Sequence, residues 1–415
     1  MLHIYRSDSA NRLFDALLPV LRPVEGPFDH PLLTAPGRLS AWLRRQLAAR
    51  LGVWMGPIDA PRSAIDAILF PADGKADSFT ADAMTFAIYD LLPDLVGEGR
   101  HEHLNRFFQG DHRPSRAFAF ARTMADLFNE YLMYRPQLMN DWQKTDGDWQ
   151  TTLFARMSER LGGDHLAARA TAFLSDARKG AVRKYPIPRR MVVFGVSSLP
   201  PLQLEVLATL SLFAEVHLFA VVPGSGYFCD AARRSNGADH HSLFAALCAQ
   251  PAAFQELLLD ASSRVPSAET DLFTPAGTPG RLLDTLCDDL RGDRMAQPEH
   301  RLAAAPDDRS IVHHVCHSPL REVEAVWNEV VDVLSSGIAT PDDIVVMAPD
   351  MGTYGPFVEA VFGVAHGDVP SIPCTVEDAA GTELPSLCDA LVRMLSLTGT
   401  PVTLVEVCDL LALLP

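Results

Sequence analysis

The chain has 415 residues, 48% hydrophobic and 21% charged, a balance that excludes wholesale disorder and fits about two to three domains. Its 35 basic and 52 acidic residues give a formal net charge of −17, which excludes a general basic coat for nucleic acid or an anionic membrane but leaves room for a local basic channel. Met1-Leu2-His3-Ile4-Tyr5-Arg6 has no signal-peptide pattern, and Gln203, Glu205, Glu215 and His217 interrupt the longest apolar stretch, so no membrane span is expected and a cytoplasmic location is.

Residues 2–5 alternate and predict a strand. Ser7-Asp8-Ser9 then offers a cap, and Leu13, Phe14, Leu17, Leu18 and Leu21 recur at helical spacing. The pattern repeats with Leu32-Leu33-Thr34 as strand, Ala35-Pro36-Gly37 as turn, and Leu39, Trp42, Leu43 and Leu47 as a helix face. Strands alternating with helices predict an α/β domain with a parallel sheet. From about Ala81 to Phe173 the signal is helical. It is strongest at Arg116–Tyr134, where Phe118, Ala121, Met124, Phe128, Tyr131 and Leu132 fall near one stripe and Arg135-Pro136 ends it. This predicts an all-helical insertion. Strands return at Met191–Val196 and Val216–Val222, with a helix over Gln203–Leu212 between them.

Residues 260–310 carry Pro266, Pro275, Pro279, Pro298 and Pro306, and read as loop around one helix near Arg281–Leu290 and as a domain boundary. A second α/β unit is expected after it: strand Ile311–Cys316, helix Arg321–Leu334, strand Asp343–Ala348, helix Tyr354–Phe362, then helices at about Leu384–Leu397 and Leu404–Leu413. Two visible strands are few for a finished domain, so the chain reads as part of a longer one.

A phosphate-binding loop needs glycines that turn backbone N–H groups toward the phosphates, plus Lys and Ser/Thr. Neither strand–turn–helix unit, Tyr5 to Arg12 or Thr34 to Leu39, contains Gly-Lys-Ser/Thr, and the four lysines (Lys75, Lys144, Lys179, Lys184) follow no such loop. ATP hydrolysis by this chain is not expected. The seven cysteines, none spaced as CxxC and most inside apolar runs, read as reduced, buried thiols rather than a zinc module. His313, His314, Cys316 and His317 offer a metal reading. Strand neighbours point to opposite faces, however, so a local site would rest on His314 and Cys316, and a strand end with turn-forming polar groups is the plainer reading. His240 and His241 read as solvated loop.

Arg178, Lys179, Arg183, Lys184, Arg189 and Arg190 place six basic residues within thirteen. This run is either a solvated loop or a contact for backbone phosphates. Trp42 is either core or a base-stacking platform.

Several strings resemble a known family: Ala125 through Asp126-Leu127-Phe128-Asn129 to Arg135-Pro136; Gly195-Val196-Ser197-Ser198-Leu199-Pro200-Pro201; His314-Val315-Cys316-His317-Ser318-Pro319-Leu320-Arg321-Glu322-Val323-Glu324; and Val345-Val346-Met347-Ala348-Pro349-Asp350 followed by Tyr354, Pro356-Phe357 and Ala360-Val361-Phe362-Gly363. In this order they resemble the RecC family, the gamma subunits of exodeoxyribonuclease V, the RecBCD helicase–nuclease of bacteria. The resemblance implies an inactive superfamily 1 helicase-like, P-loop NTPase-like domain at residues 1–75 plus 186–300. It implies a helical insertion at 76–185 and the truncated start of a second helicase-like domain at 308–415.

By the same resemblance the chain would be a non-catalytic DNA-binding and scaffold subunit. It would channel unwound strands and read a Chi-like sequence during double-strand-break repair by homologous recombination. Its partners would be RecB-like and RecD-like subunits, double-stranded DNA ends and single-stranded DNA. It would hold no cofactor itself, with ATP and Mg2+ expected in the partner subunits. Carried over by position, Asp126, Leu127 and Arg135 match the string that faces the DNA channel. There Arg135 would meet a phosphate or base edge, and Asp126 would accept from an exocyclic amine. Trp42 matches the family's Trp on the second helix. Arg178, Lys179, Arg183 and Lys184 complete the expected DNA-binding set on charge alone. Ala35, Ala41 and Asn129 depart from the amides and the acid of enterobacterial members, which predicts a different Chi-like preference. Two rival readings are a scaffold without DNA contact and a stand-alone helicase or nuclease, the latter requiring a Walker lysine or an acidic metal cluster.

Overall fold

The computed structural model describes residues 1–22, 30–70, 78–108, 114–142, 147–229, 241–275, 277, 281–294, 305–365, 371–376, 386–397 and 402–412. The chain forms two compact units, Met1–Ser310 and Ile311–Pro415.

The first unit begins with β1 (Leu2–Ser7), α1 (Ala10–Val20), β2 (Leu32–Thr34), α2 (Gly37–Leu51) and α3 (Pro61–Leu69). A helical stretch follows: α4 (Ala81–Gly97), α5 (Glu102–Phe108), α6 (Pro114–Tyr134), α7 (Pro136–Trp142), α8 (Trp149–Arg160) and α9 (Leu166–Arg178). After a 3-10 turn at Val182–Lys184 come β3 (Arg190–Val196), α10 (Pro201–Leu210), β4 (Glu215–Val221), α11 (Ser242–Leu247), α12 (Ala249–Ser263), β5 (Ser267–Asp271) and α13 (Leu282–Arg291).

The five strands make one sheet in the order β2-β3-β4-β1-β5, and every pairing is parallel. Strand residues alternate between two cores, as period-2 geometry requires. Met191 and Val193 face one, with Leu2, Ile4, Ile65, Phe173, Leu204 and Phe254. Val192 and Phe194 face the other, with Leu13, Phe14, Leu17, Leu43, Leu47 and Phe219. A sheet covered on both faces needs near-continuous apolar strands, and β3 and β4 have them. At the end of β3, Gly195 takes φ +70°, and a Cβ there would lie 1.9 Å from Leu39 Cδ2. Only glycine lets the strand end pass this close beneath the first turn of α2.

The helical stretch has its own core of Met84, Ile88, Ala121, Met124, Phe128, Phe154 and Met157. Helix α6 reaches both cores, since its Met133 packs in the sheet-side one. The stripe expected on α6 holds at Ala121, Met124, Phe128 and Leu132, whereas Phe118 is exposed.

Sequence reasoning missed β5, α3, α11 and α12. Strand β5 reads Ser-Ala-Glu-Thr-Asp and lies at the sheet edge. It lacks β-branched apolar residues, and its pairing with β1 and the Arg6–Asp271 contact define it. Helix α10 starts two residues earlier than expected, with Pro201 in its first turn.

The second unit holds α14 (Pro319–Ser335), a 3-10 turn at Pro341–Asp343, α15 (Met351–Phe362), α16 (Ser386–Ser396) and α17 (Leu404–Ala412). Ser318 caps α14 by accepting from the Arg321 N–H, and Asp350 caps α15 by accepting from Gly352. Val323, Val330, Val361 and Phe362 are the buried residues of this unit's core. The strands expected at Ile311–Cys316 and Asp343–Ala348 do not form: these stretches carry no strand pairing among the described residues. A strand needs a neighbour for its backbone groups, and Val315, Val345 and Met347 are 87%, 78% and 88% exposed instead.

The cysteines are free, but the expectation that they are buried is not met. Cys229, Cys248 and Cys316 are half-buried, and Cys287, Cys374, Cys388 and Cys408 are exposed. Among the described residues, no helix is long and apolar enough to cross a membrane.

Candidate nucleic-acid interface

At the turn between β1 and α1, polar side chains are tied to residues beyond β5 and on α13. Asp8 Oδ1 accepts from the Thr274 N–H and hydroxyl, both at 2.9 Å, and Asp8 Oδ2 accepts from Arg291 Nε at 2.8 Å. Arg291 also pairs with Asp288. Arg6 makes a two-toothed contact with Asp271 (2.9 and 3.0 Å), and the Ser7 hydroxyl donates to Leu272 O. Burial pushes the Asp8 carboxyl up, but the hydrogen bonds from Thr274 and Arg291 outweigh it and hold it below the ordinary carboxylate range.

Helix α6 carries a polar stripe at Arg122, Asp126 and Asn129, spaced four and three residues apart and so on one face. Arg122 Nη1 lies 2.6 Å from Asp82 Oδ1 of α4, and its Nε lies 3.6 Å from Asp126 Oδ2. Arg62 of α3 donates through Nη2 to Asn129 Oδ1 at 2.9 Å and pairs with Asp66 at 3.6 Å. The stripe is thus bracketed by arginines, and Asp126 stays 58% exposed. Of these residues only Asp126 was an expected site residue. The i,i+4 spacing of Arg122 and Asp126 was a legible signal, whereas Arg62 meets Asn129 across 67 residues of sequence and left none.

Leu127 is half-buried and packs on the helical core. Arg135 sits between α6 and α7, where its N–H donates to Tyr131 O and its carbonyl accepts from Met139. Its side chain is exposed, with no hydrogen bond or ion pair among the described residues.

The basic run divides. Lys184 pairs with Asp176 at 2.7 Å and lies 5.1 Å from the Tyr185 ring centroid. The Lys184 hydrogen bond, then the one from Tyr185, holds the Asp176 carboxyl below its ordinary range. Arg190 pairs with Glu215 and donates to Val20 O and Arg22 O. Arg178, Lys179 and Arg183 are exposed, with no side-chain hydrogen bond or ion pair among the described residues.

Trp42 meets Phe14 edge-on at 5.9 Å and stacks on Phe194 at 6.3 Å, so its half-buried indole packs as a core residue.

Among the described residues no three His, Cys, Asp or Glu side chains converge as a metal site. His314 Nε2 lies 3.1 Å from Glu329 Oε1. His241, expected in solvent, is buried, and its backbone N–H donates to Asp293; His240 lies outside the described residues.

Residues 2–293 match the family model described as RecC, N-terminal domain. The chain belongs to the RecC family. It is 28% identical over 99% of its length to the RecBCD enzyme subunit RecC of Mycolicibacterium smegmatis, covering 40% of that protein. To the RecBCD enzyme subunit RecC of Escherichia coli it is 26% identical over 96% of its length, covering 41%. To that of Mycobacterium tuberculosis it is 27% identical over 99%, covering 40%. The chain therefore spans about 40% of the length of these RecC proteins. The strings that suggested RecC fall on α6, on the turn from β3 into α10, and at the start of α14 and around α15.

Proposed function

We propose that this chain serves as the RecC-type subunit of a RecBCD-like assembly in DNA repair and recombination. In that role it binds DNA and organises partners without hydrolysing ATP. Its partners are RecB-like and RecD-like subunits, double-stranded ends and the unwound single strands. ATP and Mg2+ act in those partner subunits, and the assembly works in the cytoplasm. The sheet and its helical stretch are read as a helicase-like domain, residues 1–75 plus 186–300 with the insertion at 76–185. Residues 308–415 are read as the start of a second such domain. In that reading the β1–α1 turn is where a phosphate loop would lie, and Asp8, held there by Arg291 and Thr274, supports the non-catalytic part.

The observation that carries the DNA reading is the exposed polar stripe of α6, with Arg135 unpaired just beyond its end. Base edges are read by such fixed donors and acceptors, and phosphates by free arginines. In this reading Asp126 accepts from a base amine, Arg135 contacts a phosphate or a base edge, and Leu127 supports the stripe from behind. Arg178, Lys179 and Arg183 are free to meet backbone phosphates, while Lys184 reaches DNA only by leaving Asp176. The half-buried indole of Trp42 belongs to the fold rather than to a base stack. The sequence read is Chi-like, with a preference distinct from that of enterobacterial relatives.

The test is DNA binding by the full-length subunit assembled with its partners, wild type against Arg135→Ala, over a salt series. A loss confined to particular sequences makes Arg135 a base reader. A uniform loss with a salt slope shallower by about one makes it a phosphate contact. Unchanged affinity at every salt concentration, with the same result for charge reversal at Arg178 and Arg183, overturns DNA contact and leaves a scaffold.

A further inference from the structure

We infer that Arg62 is a specificity-setting residue: by holding Asn129 Oδ1 it turns the Asn129 amide nitrogen outward as a hydrogen-bond donor, so that this point of the α6 stripe selects a base edge that accepts. The inference rests on the proposed DNA reading of α6 and deepens it.

An unrestrained asparagine side chain is ambiguous. Its carboxamide flips between presenting a carbonyl oxygen and presenting an NH2 group, and it then discriminates poorly between donor and acceptor edges. A guanidinium removes the ambiguity because it has donors only. The group 2.9 Å from Arg62 Nη2 is therefore Asn129 Oδ1, and Nδ2 takes the other side. Among the described residues Nδ2 has no protein partner. Asn129 is half-buried rather than covered, so the donor can be reached from solvent. Arg62 is steadied from its own helix by Asp66, four residues on, at 3.6 Å from Nε.

One turn before Asn129 on the same face, Asp126 offers a carboxylate, which can only accept. The stripe therefore presents an acceptor at Asp126 and a donor at Asn129. This pattern favours a strand with an amino-bearing base at one position and a keto-bearing base, thymine or guanine through O4 or O6, at the other.

The decisive substitution is Asn129→Asp. It is isosteric, it keeps a partner for Arg62, and it replaces the outward donor with an acceptor. The assembled full-length complex is selected against a random single-strand library as wild type, Asn129→Asp and Arg62→Ala, with Arg135→Ala as the control for DNA contact. With Asn129→Asp, preference at one position moves from keto-bearing toward amino-bearing bases by roughly three- to tenfold, the worth of one hydrogen bond. With Arg62→Ala the amide is free to flip, and the preference at that same position flattens while the others stay. An unchanged profile in both variants, or a uniform fall in affinity with Arg62→Ala, overturns the assignment even though Arg135→Ala still weakens binding. If Arg135→Ala is also without effect, the proposed function fails first and the inference falls with it.

Discussion

Two segments with nearly the same sequence character end in opposite places. Met191 to Phe194 in the first unit is wholly buried, whereas Val345-Val346-Met347 in the second is 78%, 49% and 88% exposed. Both are short apolar runs bounded by turn formers. The difference is the neighbours: β3 pairs with β2 on one side and β4 on the other and has helices over both faces. The 345–347 run has no strand partner among the described residues. An apolar run of strand type specifies a demand for pairing, and long-range partners decide whether it is met. Helices differ because their backbone bonds are local. Helix α14 forms with a Ser318 cap, Pro319 in its first turn and one buried face against α15.

The largest expected effect tests the buried side of this comparison. Phe194→Ala removes a fully buried ring stacked on Trp42 and tilted against Phe219, and should cost about 3–5 kcal/mol. Hydrogen exchange read by mass spectrometry resolves the two units, and protection should collapse over β1, β3 and β4 while α14 and α15 keep theirs. Equal loss in both would mean that the units do not fold separately.

Acid should act on the first unit through its buried histidines. His165 is fully buried, and its Nδ1 accepts from the Ala168 N–H at 3.1 Å to cap α9, which requires the neutral ring. Burial lowers its titration from 6.5 to about 4. His217, stacked on His3, is likewise lowered to about 4, first by burial and then by His3. Above pH 6.5 both rings are neutral folded and unfolded, and their contribution is full. Between pH 6.5 and 4 the unfolded chain takes protons that the folded unit refuses, so stability falls as pH falls. The loss should be on the order of 2 kcal/mol per histidine. His165→Asn keeps a capping side chain, and with His217→Gln it should flatten the fall in melting temperature between pH 7 and 4.5. An unaltered acid limb in the double variant would assign the pH dependence to other groups.

What the sequence discloses follows the same division. The parallel sheet, the helical stretch and the apolar stripe of α6 were legible because period-2 and period-3.6 patterns are local. Strand β5 was not: four polar residues and an alanine acquire strand geometry only by lying along β1. The site was legible in part. Asp126 and Arg135 stand in a contiguous string, but Arg62 reaches Asn129 only after the chain has folded. Residues adjacent in the basic run separate in the fold: Lys184 turns to Asp176 and Arg190 to Glu215, leaving Arg178, Lys179 and Arg183 outward.

The smallest expected effect tests the exposed side. Val346→Thr keeps the branched shape and adds a hydroxyl. At a buried strand position the stranded hydroxyl would cost about 1–3 kcal/mol. At 49% exposure it stays hydrated, and the change in stability should lie within about 0.5 kcal/mol. Measured on this chain and again on the full-length subunit, the substitution separates two cases. A near-zero effect in both means that the 345–347 run is solvent-facing in the working protein. A near-zero effect here with a clear loss in the longer protein means that the run gains the strand neighbour that β3 already has.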